Sequence, residues 1–248
     1  MTISIITATY NSAATVRDTL ASIAAQDYPR IEHLIVDGVS KDNTLDIVKE
    51  FPHVAKVESS KDKGIYDAMN KGVRMASGDV VGILNSDDLY QHNSVLSNVM
   101  KAFEDPEVDL VYGDLQYVQQ HDISKVVRSW KAGTYTPNSF YWGWMPPHPS
   151  FFVRKRVYDQ LGLFSLDLRT AADYEIILRF MLKAGLKAAY VPEYLVRMRM
   201  GGASNATLKH RINANKEDRK AWDMNGLKPY FFTLWCKPLR KINQFLIR

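Results

Sequence analysis

Asn85-Ser86-Asp87-Asp88 places an amide and two carboxylates at the end of the apolar run Asp79-Val80-Val81-Gly82-Ile83-Leu84. Carboxylates held this close repel unless a positive charge neutralises them. Hard oxygen ligands on one loop suit Mg²⁺ or Mn²⁺, ions that commonly share their coordination with substrate phosphates. The competing reading is an acidic turn that caps the helix expected from Ser94 onward. Two other apolar runs end in the same polar way, at Thr7-Ala8-Thr9-Tyr10-Asn11 and at Asp37-Gly38. A further acid, Asp173, opens a stretch with inward-facing Ile176, Ile177, Phe180 and Met181, which predicts a helix over 173–182.

The elements that must position these residues follow from periodicity. Apolar, β-branched runs predict strands over 3–9, 31–36, 54–57, 79–84 and 109–112. Between them, helices are expected from Val16, Leu20, Ile23 and Ala24, then from Leu45, Val48 and Phe51, with Asp42 as cap. Ile65, Met69, Val73 and Ala76 form one face of a third, and residues 94–103 a fourth. Strict alternation implies parallel βαβ units in a doubly wound sheet. Such sheets bind ligands beyond the carboxyl ends of their strands, where the three polar clusters fall. The second half changes character. A hairpin is expected across His121-Asp122, an aromatic, Gly- and Pro-rich loop over 130–149, and strands over 150–153, 188–191 and 194–198.

The ordered motifs Ser4-Ile5-Ile6-Thr7-Ala8-Thr9-Tyr10-Asn11, Ile35-Val36-Asp37-Gly38, and Asn85-Ser86-Asp87-Asp88 resemble signatures of family 2 glycosyltransferases with the GT-A fold. Between them, Asp62-Lys63-Gly64-Ile65-Tyr66-Asp67-Ala68-Met69-Asn70-Lys71-Gly72 is similar to a segment of bacterial capsule, O-antigen and colanic-acid sugar transferases. The resemblance spans roughly residues 3–205. It implies an α/β GT-A fold: a Rossmann-like, doubly wound mixed sheet with a nucleotide-binding half (1–114), an acceptor half (115–205) and a basic amphipathic helical tail (206–248).

The resemblance also implies roles. Asp87 corresponds to the metal-binding last acid of an Asp-x-Asp motif. Asn85 replaces the first acid and can still bond a ribose hydroxyl. Asp88 supplies missing charge through water, and Ser86 lies beside the donor. Mn²⁺ or Mg²⁺ is the implied cofactor, and a nucleotide-diphosphate sugar, UDP-linked in this reading, the implied donor. Thr7, Thr9, Tyr10, Asp37 and Asp62 line the donor site, with Asp37 facing the base and Tyr10 lying against it. Lys71 either approaches the diphosphate or is an exposed helical lysine. Arg199 either meets the diphosphate or forms an ion pair, at the start of a glycine-hinged loop, Arg199-Met200-Gly201-Gly202-Ala203-Ser204-Asn205. Asp173 is the implied base of an inverting transfer, against a reading as a helix N-cap, and Ala172 stands where the family often has Glu. Glu175 points elsewhere and is structural. His148 either contacts acceptor or phosphate, or is a structural loop histidine.

Composition sets the remaining bounds. The 248 residues, 46% hydrophobic, allow one sizeable domain or two fused halves. A single cysteine, Cys236, rules out an internal disulfide framework and fits a reducing compartment. Met1-Thr2-Ile3-Ser4-Ile5-Ile6 lacks the basic start and apolar length of a signal sequence. Residues 206–248 carry 10 Lys+Arg against 3 Asp+Glu, while the remainder carries 22 against 24. Leu239, Ile242, Phe245 and Leu246 share a helical side of that basic tail, which predicts an interfacial segment on anionic lipid. The expectation is a cytoplasmic protein, peripheral on the inner face of the plasma membrane, with a lipid-linked saccharide acceptor. Two other classes are weighed. A nucleic-acid binder would need basic residues at the strand ends, where acids stand instead. A non-catalytic nucleotide-sugar binder is suggested by Asn85 and Ala172.

Overall fold

The computed structural model describes residues 1–201, 208–240 and 244, with side chains omitted over 208–214. Its frame is one nine-stranded mixed sheet. Parallel strands β1 (Ile3–Thr9), β2 (Ile31–Asp37), β3 (Val54–Ser59) and β4 (Val80–Ile83) form one side, in the order β3-β2-β1-β4. The helices between them are α1 (Val16–Ala24), α2 (Thr44–Lys49) and α3 (Ile65–Met75). Alternation along β1 explains why this sheet is buried on both faces. Ile3 and Ile5 enter the cluster that holds Val95, Leu96 and Val99 of α4 (Val95–Ala102), whereas Ile6 enters the one that holds Met69 and Val73 of α3.

Beyond β4 the sheet turns mixed. It continues through β8 (Phe151–Arg154), β6 (Leu110–Val118), β9 (Ala188–Arg199) and the two-residue β5 (Leu89–Tyr90). The hairpin partner β7 (Val126–Trp130) pairs with β6 in antiparallel fashion. The strand expected at 109–112 and the first arm of the expected hairpin are thus one strand, β6, which runs through the expected 114/115 division. The strands expected at 188–191 and 194–198 likewise form one, β9. Irregular register opposite Gly113 and Asp114 accommodates Pro192 and Glu193 without ending the strand. The two halves therefore share a sheet.

The second half adds α5 (Pro137–Tyr141), α6 (Lys155–Leu161) and α7 (Ala172–Ile177), which widens into a π-helical turn over Leu178–Lys183. The tail forms α8 (Leu208–Met224) and α9 (Thr233–Arg240). These helices pack on the body. Trp222 is fully buried and donates its indole N–H to Tyr174 Oη at 2.9 Å, and Lys237 Nζ lies 3.6 Å from the Tyr174 ring centroid. Of the expected apolar stripe, Leu239 is exposed, and Ile242, Phe245 and Leu246 lie outside the described residues, as does most of the glycine-hinged loop (202–205). No described helix is long and apolar enough to cross a membrane.

Candidate active site

The ends of β1 and β2 are knitted together around Asp37. This carboxylate is fully buried and accepts four hydrogen bonds: from Thr9 Oγ1 (3.0 Å), Ser59 Oγ (2.7 Å), the Ser40 amide (2.9 Å) and the Ser40 hydroxyl. Burial opposes its charge, but these donors hold its pKa below the usual carboxylate value. Asp37 is thereby the knot that joins the ends of β1, β2 and β3. The Ser40 bonds also fix Val39 at φ 66°, a left-handed conformation that a β-branched side chain rarely adopts. Thr7 departs from expectation. Its hydroxyl turns into the body and pairs with the buried His33 Nε2 at 3.1 Å, so it is not at the strand-end surface.

Tyr10, Asp62 and Gly38 form the open part of this side. Tyr10 is 63% exposed. A methyl group placed on Gly38 would lie 2.7 Å from Asp62 Oδ2 and 3.3 Å from Tyr10 Cδ2. Gly38 thus leaves room where an aromatic ring and an acid approach, a recess that suits a flat, hydrogen-bonding group. Asp62 also accepts the Gly64 amide at 2.9 Å. Lys71 fits neither expected reading. Its ammonium donates to Ser60 Oγ (2.8 Å) and the Lys61 carbonyl (2.7 Å), clamping the loop that presents Asp62.

The acidic loop after β4 is held differently. Ser86 pairs its hydroxyl with that of Ser12 at 2.8 Å, which ties the loop to the end of β1. Asn85 Nδ2 donates to Asp88 Oδ2 at 3.1 Å, while Asn85 Oδ1 and Asp88 Oδ1 are buried and, among the described residues, have no hydrogen-bond partner. Asp88 is fully buried, and burial followed by the charge of Asp87 pushes its pKa well up. Asp88 is thus an enclosed carboxyl beneath the loop, with one oxygen held by Asn85. Asp87 is half-buried, and burial raises its pKa too, against the attraction of Arg199 and His148. Among the described residues no cluster of three or more His, Cys, Asp or Glu forms a ready metal cage. The donor chemistry of Asp87 nonetheless fits a hard divalent ion that takes its other oxygens from a substrate diphosphate, because its charge is under-compensated. Arg199 is an ion pair. Its guanidinium bonds Asp18, the Gln120 carbonyl (3.2 Å) and the Asp87 carbonyl (3.0 Å), so it buckles the acidic loop to β9.

Asp173 occupies the second position of α7, after Ala172, and the cap position belongs to Ala171. The N-cap reading is thereby excluded. Its side chain is 19% exposed. Tyr66 Oη donates to Oδ1 at 3.1 Å, and His148 Nδ1 lies 3.3 Å from Oδ2. Burial and then the charge of Asp173 push the Tyr66 phenol pKa upward, keeping it a proton donor. Both partners are fixed from behind. Tyr66 stacks on Phe164, whose backbone exchanges two 2.9 Å bonds with the Asn70 side chain. His148 rides a 3₁₀ turn pinned by Ser150 Oγ to the Gly113 carbonyl at 2.8 Å. Ala172 is fully buried, so the supporting role often given to Glu there falls to two distant side chains. Glu175 is structural as expected, ion-paired to Arg179 at 2.8 Å. Gly38, Tyr66 and the serines around Asp37 were not singled out from the sequence; only the Asp-Gly pair after a strand signals the first.

The profile described as Glycosyl transferase family 2 matches residues 4–162. The chain belongs to glycosyl transferase family 2. It is 31% identical over 208 residues to the PGL/p-HBAD biosynthesis glycosyltransferase of Mycobacterium bovis (strain BCG / Pasteur 1173P2), covering 82% of this chain and 78% of that one. It is 32% identical over 115 residues to the poly-beta-1,6-N-acetyl-D-glucosamine synthase of Staphylococcus epidermidis, covering 45% and 28%. Among solved structures it superposes on S. aureus TarS in complex with UDP-GlcNAc with a TM-score of 0.66 at 18% identity. That match covers 91% of this chain but only 65% of the TarS chain. It superposes on the mannosyltransferase PcManGT of Pyrobaculum calidifontis, in complex with GDP-Man and Mn²⁺, with a TM-score of 0.67 at 21% identity, covering 97% and 73%. This family 2 glycosyltransferase has the GT-A fold.

Proposed function

We propose that this glycosyltransferase moves a sugar from a UDP-sugar donor, with inversion, onto a glycan or lipid-linked saccharide acceptor during assembly of a bacterial surface polysaccharide. One observation carries the reading: Asp173 is held at both oxygens, by Tyr66 Oη at 3.1 Å and His148 Nδ1 at 3.3 Å, on a helix of the half that shares one sheet with the strand leading to Asp87. The TarS complex with UDP-GlcNAc and the polysaccharide-building relative support the donor and product classes.

In this reading the nucleoside base enters the recess at Tyr10, Gly38 and Asp62, and Asn85 meets the ribose. Asp87 holds Mn²⁺ or Mg²⁺. When bound, that ion supplies positive charge to the oxygens of the departing diphosphate. Asp173 supplies the base for the acceptor hydroxyl, which attacks the anomeric carbon from the face opposite the leaving group. The basic tail, with Phe231 87% and Trp235 70% exposed, rests on anionic lipid at the inner membrane face.

A panel of nucleotide sugars, screened by thermal shift with and without Mn²⁺ and by release of nucleoside diphosphate, tests the donor. A Mn²⁺-dependent rise in melting temperature with one UDP-sugar is expected, since a ligand favouring the folded state stabilises it. Full transfer rate in Asp173→Asn would overturn the base assignment. Sedimentation with phosphatidylglycerol vesicles tests the tail, which predicts weaker binding by Phe231→Ser/Trp235→Ser.

A further inference from the structure

We propose that the acceptor half itself meets the bilayer, through Trp142 at the end of α5, and that one aromatic face shared by α5 and the tail sets the orientation of the enzyme on an anionic lipid surface. The inference rests on the membrane part of the reading above and extends it from the tail to the half that carries Asp173. Three observations carry it. The first is a continuous exposed face. Trp142 is 55% exposed, and its ring centroid lies 4.9 Å from that of Phe232. Phe232 in turn meets Phe231 at 5.2 Å and Tyr230 at 5.4 Å. Trp235 and Leu239, 70% and 60% exposed, lie one turn apart on α9 and continue the face.

The second is that α5 and the tail are locked to one another. Thr233 Oγ1 donates to the Tyr141 carbonyl at 2.7 Å, and a methyl group placed on Gly143 would lie 2.4 Å from the Lys237 nitrogen. Gly143 also has φ 76°, so a side chain there would be strained as well as crowded. Behind the face, Tyr141 packs on Trp222 with ring centroids 5.1 Å apart, and Trp222 bonds Tyr174, the neighbour of Asp173. The third is charge. Lys228 and Arg240 are exposed on either side of the aromatic run in sequence, and residues 206–248 carry 10 Lys+Arg against 3 Asp+Glu. Indole and phenol rings have an apolar body and a polar tip, which suits them to the headgroup level of a bilayer. Basic residues beside them complement anionic lipid. A second copy of the chain on this face would instead bring two basic tails together, and like charges placed opposite one another are costly. Docking by both elements turns the acceptor half to the membrane, the side from which a lipid-linked saccharide arrives.

The experiment sediments the full chain with vesicles of phosphatidylcholine alone and of phosphatidylcholine mixed with phosphatidylglycerol. It compares wild type, Trp142→Ser, Trp142→Phe and Phe231→Ser/Trp235→Ser, with folding followed by thermal melt and oligomeric state by light scattering. Wild type is expected to bind the phosphatidylglycerol vesicles and to leave them as salt screens the tail. Trp142→Ser is expected to stay folded and to bind about tenfold more weakly, the scale for losing one large apolar contact. Trp142→Phe is expected to keep binding within about threefold of wild type, because the ring is retained. It should nonetheless lose part of the quenching of indole fluorescence by brominated lipid, a readout that a merely structural tryptophan would not move. If Trp142→Ser binds like wild type while Phe231→Ser/Trp235→Ser does not, the contact is confined to the tail, and this inference fails while the tail reading stands. If wild type ignores the vesicles, both fail, and release of nucleoside diphosphate in solution still judges the transferase reading separately. Equal binding to both vesicle types, or a dimer in solution that Trp142→Ser dissolves, also overturns it.

Discussion

Asp37 and Asp87 each follow a parallel strand of the same sheet, yet they are treated in opposite ways. Asp37 receives four hydrogen bonds from three different loops and strands, and its charge is favoured. Asp87 has its charge disfavoured by burial, which outweighs the relief from a backbone hydrogen bond and from the more distant Arg199. Next to it, Asn85 and Asp88 each leave a buried oxygen with no partner among the described residues. A satisfied buried carboxylate organises structure, whereas an under-compensated one is poised for a positive ligand. The lesson is that position at a strand end selects candidates, and the donors around each acid separate scaffold from chemistry.

The largest expected effect tests the Asp87 side. Asp87→Asn should cut sugar transfer by about 10³-fold or more, comparable to removal of a principal electrostatic group. Its stability should hold or rise at neutral pH. The sign follows from linkage: a carboxyl whose folded pKa lies above its unfolded value destabilises the fold once pH exceeds that unfolded value. A melting temperature several degrees below wild type would erase the contrast. Asp37→Ala should do the reverse, lowering the unfolding free energy in urea by about 2–4 kcal/mol, because Thr9, Ser40 and Ser59 lose a charged acceptor. Asp37 stabilises the fold above its unfolded pKa, and the contribution disappears as pH falls through its lowered folded pKa.

His33 sharpens the comparison beneath the donor strands. Burial, then the neighbouring His53, pushes its pKa down to about 3. The unfolded chain therefore binds a proton that the native state refuses between its ordinary value of 6.5 and about 3. Stability should fall with acidification across that window, by about 1.4 kcal/mol per pH unit from this group. In His33→Asn the slope of unfolding free energy against pH should be shallower by that amount; an unchanged slope would show that His33 does not refuse the proton. Smaller again is Val39→Asn, which should stabilise the chain by about 1 kcal/mol by relieving the left-handed valine. Chemical denaturation reads that gain directly, and no gain would show that the loop carries no strain there.

Much of this frame is legible in the sequence because β-branched apolar runs stop abruptly at Asx-rich ends, as at Val36-Asp37 and Leu84-Asn85. The parallel strands and their helices follow from such runs. What is hidden has particular causes. β5 is two residues long and is a strand only because β9 pairs with it. β6 and β9 look interrupted at Gly113-Asp114 and Pro192-Glu193, and their register absorbs the irregularity. Tyr66 lies off the apolar stripe of α3, and its phenol meets an acid from a remote helix. Ser40 and Ser59 satisfy Asp37 from separate segments, so single-strand periodicity carries no sign of them. Secondary structure is written locally, whereas the state of a buried charge is decided by the neighbours that tertiary folding brings.

The junction of Tyr174 with Trp222 and Lys237 has a mechanical consequence. Asp173 precedes the anchored phenol by one residue, so the wedge that sets its bearing is driven in from the far end of the polypeptide. Prying α8 and α9 loose would strip the back support from Tyr174 and so from the start of α7. Whatever settles on the open flank at Phe231 and Trp235 therefore bears on the same helix, α9, and the turn before it, that hold Lys237 against Tyr174.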